Sequence, residues 1–488
     1  MLFSSFSFIL IFLPILLIAY QVCMVYLKGR FYPSVFLFVA SSVFVAIGDT
    51  LSLLLLILSL SFNYLVLRKL SSAHTPKLKN ALLTIGVIFN LSFIGVFKYA
   101  DFFMSSFGYA FSIEVSTLAL TLPLAISFYT FQLIALQVDV WRGYSTCPPL
   151  TNVAMFISFF PQLIAGPIVR YEEVHSDIEN LQPITLQNLA TGSSFFFLGL
   201  FKKAGIADTI APLADRFFMQ VENGASPDFI EAWVGSLLYT FQIYFDFSGY
   251  SDMAIGLALI FGVRLPENFN SPYKATSIIE FWRHWHMTLS RFLRDYLYIP
   301  LGGNRFGLLL KSRNVFMTML LGGLWHGPSW NFVLWGGVHG GLIGINHLWR
   351  KQGLNMHFLL GWFLTFVAVT FAWVVFRTTD FDAALRIYFG MLGFNGLTLP
   401  MSLEPILQNI SIAGEYLSFR SSALIKLTDL SIILLSGLIA FVAPSSQQFL
   451  RGQENGVFST FQVGVCAIGG AIAFMGLFQV VDFIYFRF

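Results

Sequence analysis

The sequence predicts an all-α, polytopic integral membrane protein, and three observations carry that prediction. Only 11% of the 488 residues are charged while 56% are hydrophobic, whereas soluble domains carry about 25% charged side chains. The apolar runs are long and continuous, not the ~10-residue alternating segments of a transmembrane barrel. The net charge is only +3, which gives no footprint for nucleic acid. Membrane lipid is the expected surrounding, and the 56 phenylalanines suit it.

The elements follow in order. The run from Phe6 to Tyr20 has no preceding basic residue and no clear cleavage site, so it reads as a retained first span over residues 6–27, closed by Lys28 and Arg30. Residues 33–67 are too long for one crossing and suffice for two short ones, broken at Gly48-Asp49. The basic residues at 28–30 and 68–79 then share one side, which the positive-inside rule makes cytoplasmic, leaving the N-terminus outside. A fourth span is expected at 81–97, then a polar break at Lys98 to Asp101 that leads to a loop, and a fifth span at 117–137 ending in Asp139 and Arg142. Further apolar stretches lie at 152–168, 187–205, 229–262, 314–348, 357–376, 430–446 and 460–481. Several are short or interrupted by Gly and Pro. Roughly ten to twelve transmembrane helices plus re-entrant and interfacial helices are expected. The polar stretch 377–429 reads as surface helices, with Asp382 to Met391 amphipathic. No internal repeat or soluble domain is visible, so residues 1–488 form a single domain. Cys23, Cys147 and Cys466 have neither disulfide nor metal spacing.

Residues 264–313 break the apolar rule. They hold Arg264, Lys274, Arg283, Arg291, Arg294, Arg305, Lys311 and Arg313 against Glu267, Glu280 and Asp295. One helix would put Trp282, Trp285, Leu289 and Phe292 on an apolar stripe with arginines on its flanks, ended by Pro300 and Gly302-Gly303. Two readings stay open: an ordinary basic interfacial loop, and a basic vestibule in which arginines fork onto phosphate.

His326 stands in LGGLWHGPSWNFVLWGGVHG, residues 321–340. A lone histidine in an apolar run is as often a hydrogen-bonded core residue as a functional one. Its neighbourhood favours function. Gly322, Gly323 and Gly327 allow close backbone approach, and Pro328 breaks the helix. Trp325, Trp330 and Asn331 offer N–H donors. A neutral imidazole in a dry pocket is the state a general base needs. His286 is the second candidate. His284 and His286 point to different helix faces, and His326 has no ligand spacing to His339 or His347, so no metal is expected.

FWRHWHMTLSRFLRDYLYIPLGGNR at 281–305, followed by GGLWHGPSWNFVLWGGVHG, resembles the core of the membrane-bound O-acyltransferase family. Within it, the likeness is to the alginate O-acetyltransferase subfamily, whose members acetylate alginate, cellulose and peptidoglycan, with the teichoic-acid D-alanylation protein as a cousin. FKYADFF at 97–103, SFYTFQLIALQVDVWRGY at 127–144, FFPQLIAGPIVRY at 159–171, YFDFSGYSDMAIG at 244–256 and FAWVVFR at 371–377 add to it. The core motifs thus lie at 127–171, 244–256 and 281–340. His284 departs from the pattern, where arginine is commoner.

The resemblance implies a central tunnel in a multi-pass protein of the bacterial inner membrane. The family's invariant histidine falls on His326 and its second polar position on His286. A thioester enters from the cytoplasm, and acetyl-CoA or an acyl carrier protein is the implied donor; no bound cofactor is implied. Arg283, Arg291, Arg294 and Arg305 would meet the donor's phosphates. Trp325, Asn331, Asp246, Ser248 and Trp285 would line the tunnel, with Trp325 N–H or Asn331 on the oxyanion. Tyr250 is a further candidate to line or brace it. For Asp246 and Asp252, a structural hydrogen bond to a neighbouring helix outweighs direct catalysis. The aromatic tail at 482–488 resembles that of the small single-span partner in D-alanylation systems, which makes Tyr485 a possible acyl carrier; the bland reading is an interfacial aromatic. A periplasmic partner of the SGNH type would receive the acetyl group. D-alanyl transfer, a transporter or flippase, and a non-catalytic scaffold are the alternatives. The first needs a carrier protein, the second predicts repeat symmetry, and the third predicts a silent His326→Ala.

Overall fold

The computed structural model describes the chain except residues 1, 28–30, 306, 401–417, 421–426, 454–455, 478–480, 482 and 485–488. The described part is almost wholly helical; a short parallel strand pair, Thr398–Pro400 with Ser418–Arg420, is an exception. Two compact units are present. The first comprises Met1–Leu200, Tyr250–Asn268 and Ser446–Ala471, and the second Phe201–Gly249, Phe269–Ser445 and Ile472–Phe488.

In the first unit, Asp49 separates helices Phe31–Gly48 and Thr50–Ser72, as its sequence position suggests. Its carboxylate accepts the N–H groups of Leu51 and Ser52, satisfying orphan donors of the second helix. Thr75 caps the next helix, where Pro76 occupies a first-turn position that needs no N–H. Here one expectation fails. Lys98 to Asp101 does not end the helix, which continues through a π-helical turn at Gly95–Tyr99 to Phe111. Lys98 is buried and donates to Ser127 Oγ at 3.4 Å, so it is satisfied without leaving the helix. The fifth span also starts later than expected, at Ile126. Asp101 accepts the N–H groups of Leu118 and Ala119 at 2.7 and 3.0 Å and holds the preceding segment out of helix. Three helices are joined by a buried amide cluster in which Gln137 Nε2 and Asn90 Nδ2 both donate to Asn63 Oδ1, at 2.5 and 2.6 Å. Such amide bridges hold helices where burial of apolar surface cannot. Residues 152–168 form two short helices, Leu150–Ser158 and Phe160–Leu163. Asp252 accepts a hydrogen bond from Ser446 at 2.5 Å, the structural role expected for it. Tyr250 stacks on Phe3 at 4.9 Å.

The second unit holds the π-helical turn Phe201–Ala207 leading into Asp208–Glu222, and most of the long helix Phe229–Ile260. It also holds the helix pair Gly307–His326 and Trp330–Lys351, then Phe358–Arg377 and Phe381–Met391. The last buries Ala383, Ala384 and Ile387 as an amphipathic helix would, but its exposed side carries the apolar Leu385 and Phe389 beside Asp382, so it is not the polar-faced surface helix expected there. The single helix expected over residues 281–300 is corrected. It is two helices, Ile278–His284 and Met287–Leu293, broken where His286 takes a left-handed backbone (φ 44°), and then a π-helical turn to Tyr298.

Among the described residues, four helices are long and apolar enough to cross a membrane: Ser7–Tyr26, Thr50–Ser72, Pro76–Phe111 and Phe358–Arg377. Shorter apolar helices lie at Tyr32–Gly48, Thr428–Val442 and Thr460–Gly476. A chain with this many apolar helices is a multi-pass membrane protein.

Candidate active site

The site is built on the helix pair 307–351. These helices approach backbone to backbone because glycines face each other. A Cβ on Gly336 would lie 2.2 Å from the Met319 carbonyl oxygen, and one on Gly323 2.2 Å from that of Phe332. Pro328 cannot continue the first helix, so His326 becomes its last residue, and Ser329 Oγ starts the second by accepting the Asn331 N–H at 3.2 Å.

That geometry drives the His326 ring into an aromatic cage. It is 5% exposed and meets Trp325, Trp335 and Phe376 edge to face, with ring centroids at 5.1, 5.1 and 5.4 Å. His286 reaches the same cage from another element. Its ring lies 6.3 Å from Trp325 and 4.7 Å from Phe247 and is fully buried. The two histidines named from the sequence therefore both meet one indole, that of Trp325. The left-handed turn at His286 makes this possible, since a continuous helix would carry the ring round with its neighbours. Burial pushes the His286 imidazole down to about 3, so it is neutral at pH 7.

A third histidine was missed. His339 is fully buried, 4.7 Å from Trp335 between ring centroids. Its Nδ1 accepts the Trp282 indole N–H at 3.3 Å, which puts its proton on Nε2. No hydrogen-bond partner for that Nε2 is found among the described residues. Its sequence signal is the imidazole of GGVHG in an apolar helix, where ligand spacing speaks only to a metal.

The remaining predicted residues separate into groups. Trp285 is buried and packs on Phe269 and Trp373 at 5.0 Å each, a wall of the same aromatic cluster. The Asn331 amide nitrogen donates to the Thr378 carbonyl at 2.6 Å and braces the end of helix Phe358–Arg377. Ser248 is buried, with no partner for Oγ among the described residues. Asp246 is ion-paired with Lys203 at 2.7 Å. Lys203 was also missed, although an ionisable side chain in the apolar run 187–205 was itself the signal. Arg283, Arg294 and Arg305 are exposed and Arg291 half-buried. Arg294 forks onto Asp295, with Nε to Oδ1 at 2.7 Å. Tyr485 lies outside the described residues.

Buried imidazoles, indole N–H groups and an aromatic wall suit proton removal from a hydroxyl and stabilisation of a developing oxyanion. Comparison with known proteins agrees with that chemistry. Residues 81–379 match the sequence profile of the MBOAT, membrane-bound O-acyltransferase family. The chain is 43% identical over 430 residues to the peptidoglycan O-acetyltransferase of Helicobacter pylori, covering 82% of this chain and 81% of that one. It is 42% identical over 404 residues to the probable alginate O-acetylase AlgI of Pseudomonas aeruginosa, covering 81% and 75%. The teichoic acid D-alanyltransferase of Bacillus subtilis is 28% identical over 282 residues, covering 53% and 69%. The chain belongs to the membrane-bound O-acyltransferase family and is an O-acyltransferase.

Proposed function

We propose that this membrane-bound O-acyltransferase takes an acetyl group from a cytoplasmic thioester and passes it across the bacterial inner membrane for O-acetylation of an extracytoplasmic polysaccharide. Alginate, another exopolysaccharide and peptidoglycan are the candidate polymers, in keeping with the names of the relatives. We read the whole chain as one functional membrane domain with ten to twelve crossings around a tunnel. The observation that carries the reading is the pair His326 and His286, both in ring contact with Trp325 in a buried aromatic cage.

In the proposed reaction, His326 removes the proton from an acceptor hydroxyl. The oxygen attacks the thioester carbonyl, the C–S bond breaks, and the thiolate takes the proton back from the imidazolium. The Trp325 N–H, with His339 Nε2–H in the same ring array, supplies donors for the oxyanion. Tyr485 is the proposed acceptor, and its ester passes acetyl to a periplasmic partner of the SGNH type. The donor is acetyl-CoA or an acyl carrier protein. Exposed Arg283 and Arg305 favour a carrier protein docking from the surface over a free CoA in a closed pocket.

Polymer acetyl content in a strain carrying His326→Ala tests the reading. Loss of a positioned general base is expected to lower acetylation by about 10²–10⁴-fold. Unchanged acetylation at a normal protein level would overturn it. In the same experiment, Tyr485→Phe is expected to abolish polymer acetylation and leave thioester binding intact; full activity would remove the carrier role and leave His326 in place.

A further inference from the structure

We infer that Lys203, Asp208 and Asp246 form a buried ionic clamp that holds the backbone at Val481 and Ile484, near the C-terminal end of the sequence, against the wall of the imidazole cage. Lys203 Nζ lies 2.6 Å from Asp208 Oδ1 and 2.7 Å from Asp246 Oδ1, with all three side chains 5% exposed or less. The same ammonium donates to the Val481 carbonyl at 3.2 Å. The Ile484 N–H donates to Asp246 Oδ2 at 2.8 Å. One ion pair therefore grips the tail at two backbone points, the cation on a carbonyl and the anion on an amide. Between those points, Phe483 is fully buried and packs 6.0 Å from Phe247, which also meets the His286 ring at 4.7 Å.

The helix leading into the tail is pinned to the same turn. A Cβ on Gly476 would lie 2.7 Å from the carbonyl oxygen of Ala204, the residue after Lys203. A buried ion cluster is a poor way to gain stability, since well-packed apolar residues of similar volume often do as well or better. What charges supply, and apolar side chains do not, is a directional hold on backbone groups. Two carboxylates against one ammonium also leave acceptor capacity, which the Ile484 N–H meets. Tyr485, the proposed carrier, is next in sequence to the gripped Ile484 amide, so the clamp is the anchor that the carrier reading calls for. Lys203 and Asp246 are thus positioning residues. Their purpose rests on the carrier reading of Tyr485; the clamp itself does not.

The test compares Lys203→Met, the neutral triple variant Lys203→Met/Asp208→Asn/Asp246→Asn, and Phe483→Ala, which touches only the tail. Carboxypeptidase release of C-terminal residues is followed by mass spectrometry on the purified full-length protein in detergent, alongside its unfolding temperature and cellular polymer acetylation. Lys203→Met strands two buried acids and is expected to lose stability, tail protection and acetylation together. The triple variant strands no charge and is expected to regain stability. Its tail is still released, and acetylation remains lowered by more than about tenfold, as expected for loss of charge-assisted hydrogen bonds. A merely structural cluster predicts that acetylation returns with stability. Phe483→Ala is expected to release the tail with the ions intact. Wild-type tail protection and acetylation in both the triple variant and Phe483→Ala would overturn the clamp. If Tyr485→Phe stays fully active while the triple variant does not, the clamp stands and the carrier role falls.

Discussion

His286 combines two features that oppose each other energetically. Its φ of 44° lies in left-handed space, where a side chain other than Gly costs roughly 1 kcal/mol. Its fully buried ring fills space between Phe247 and Trp325, and deleting a large buried side chain costs about 3–5 kcal/mol. Ring packing therefore wins, and the strain is held by the surrounding aromatics. His286→Gly is expected to be destabilised by roughly 2–4 kcal/mol despite its relaxed backbone, the difference of those two terms. His286→Asn, which tolerates this backbone and keeps a polar group, should fall between it and the parent. Thermal unfolding of the purified proteins checks the order; a Gly variant as stable as the parent would mean the ring carries no packing. His286 and His326 were both legible as candidates because an imidazole in an apolar chain is conspicuous. The left-handed turn was not, because it falls on neither Gly nor Asn, the residues that announce one. The Lys203 clamp was hidden for another reason: its members are scattered from residue 203 to 484, and no local pattern links an ion pair to a distant backbone.

At the scale of elements, the helix pair 307–351 shows how spacing of small residues positions His326, the proposed base. Gly336 lies against Met319 of the preceding helix, whereas a Cβ on Gly344 would meet nothing within 4 Å. Gly336→Ala must therefore push the helices apart, an overpacking cost of about 1–3 kcal/mol, and it shifts His326 relative to Trp335. Gly344→Ala, on the same helix, should be neutral or stabilised by up to about 1 kcal/mol through helix propensity. Unfolding temperature and polymer acetylation are expected to fall for Gly336→Ala alone; equal behaviour of the two would show that close approach is not what places His326. The Gly and Pro punctuation of this hairpin was readable in advance, as was the Gly48-Asp49 break, because caps and breakers act locally. The polar residues Lys98 to Asp101 mark a break that the helix does not make. A π-helical turn and a partner at Ser127 let the helix absorb a lysine that local polarity alone marks as a break.

For the whole molecule, composition settles the solvent but not the threading, and threading is where the early spans become testable. Helix Thr50–Ser72 has 23 residues, about 35 Å at 1.5 Å per residue, enough for a hydrocarbon core of about 30 Å. Its N-terminal end is the Asp49 cap, and its C-terminal end carries Arg68 and Lys69 before the exposed segment with His74 and Lys77. Basic residues are retained on the cytoplasmic side, so the two ends should face opposite compartments. In a protein with Cys23, Cys147 and Cys466 replaced by Ser, Thr50→Cys should react with a membrane-impermeant thiol reagent once the outer permeability barrier is opened. His74→Cys should react only after the inner membrane is permeabilised. Positions 50 and 74 are both exposed in the fold, so burial cannot mask either. Labelling of both from the same side would refute the crossing. Labelling in the reverse order would invert every later span, and with them the cytoplasmic placement of Arg283 and Arg305 on which the proposed route of the acyl donor depends.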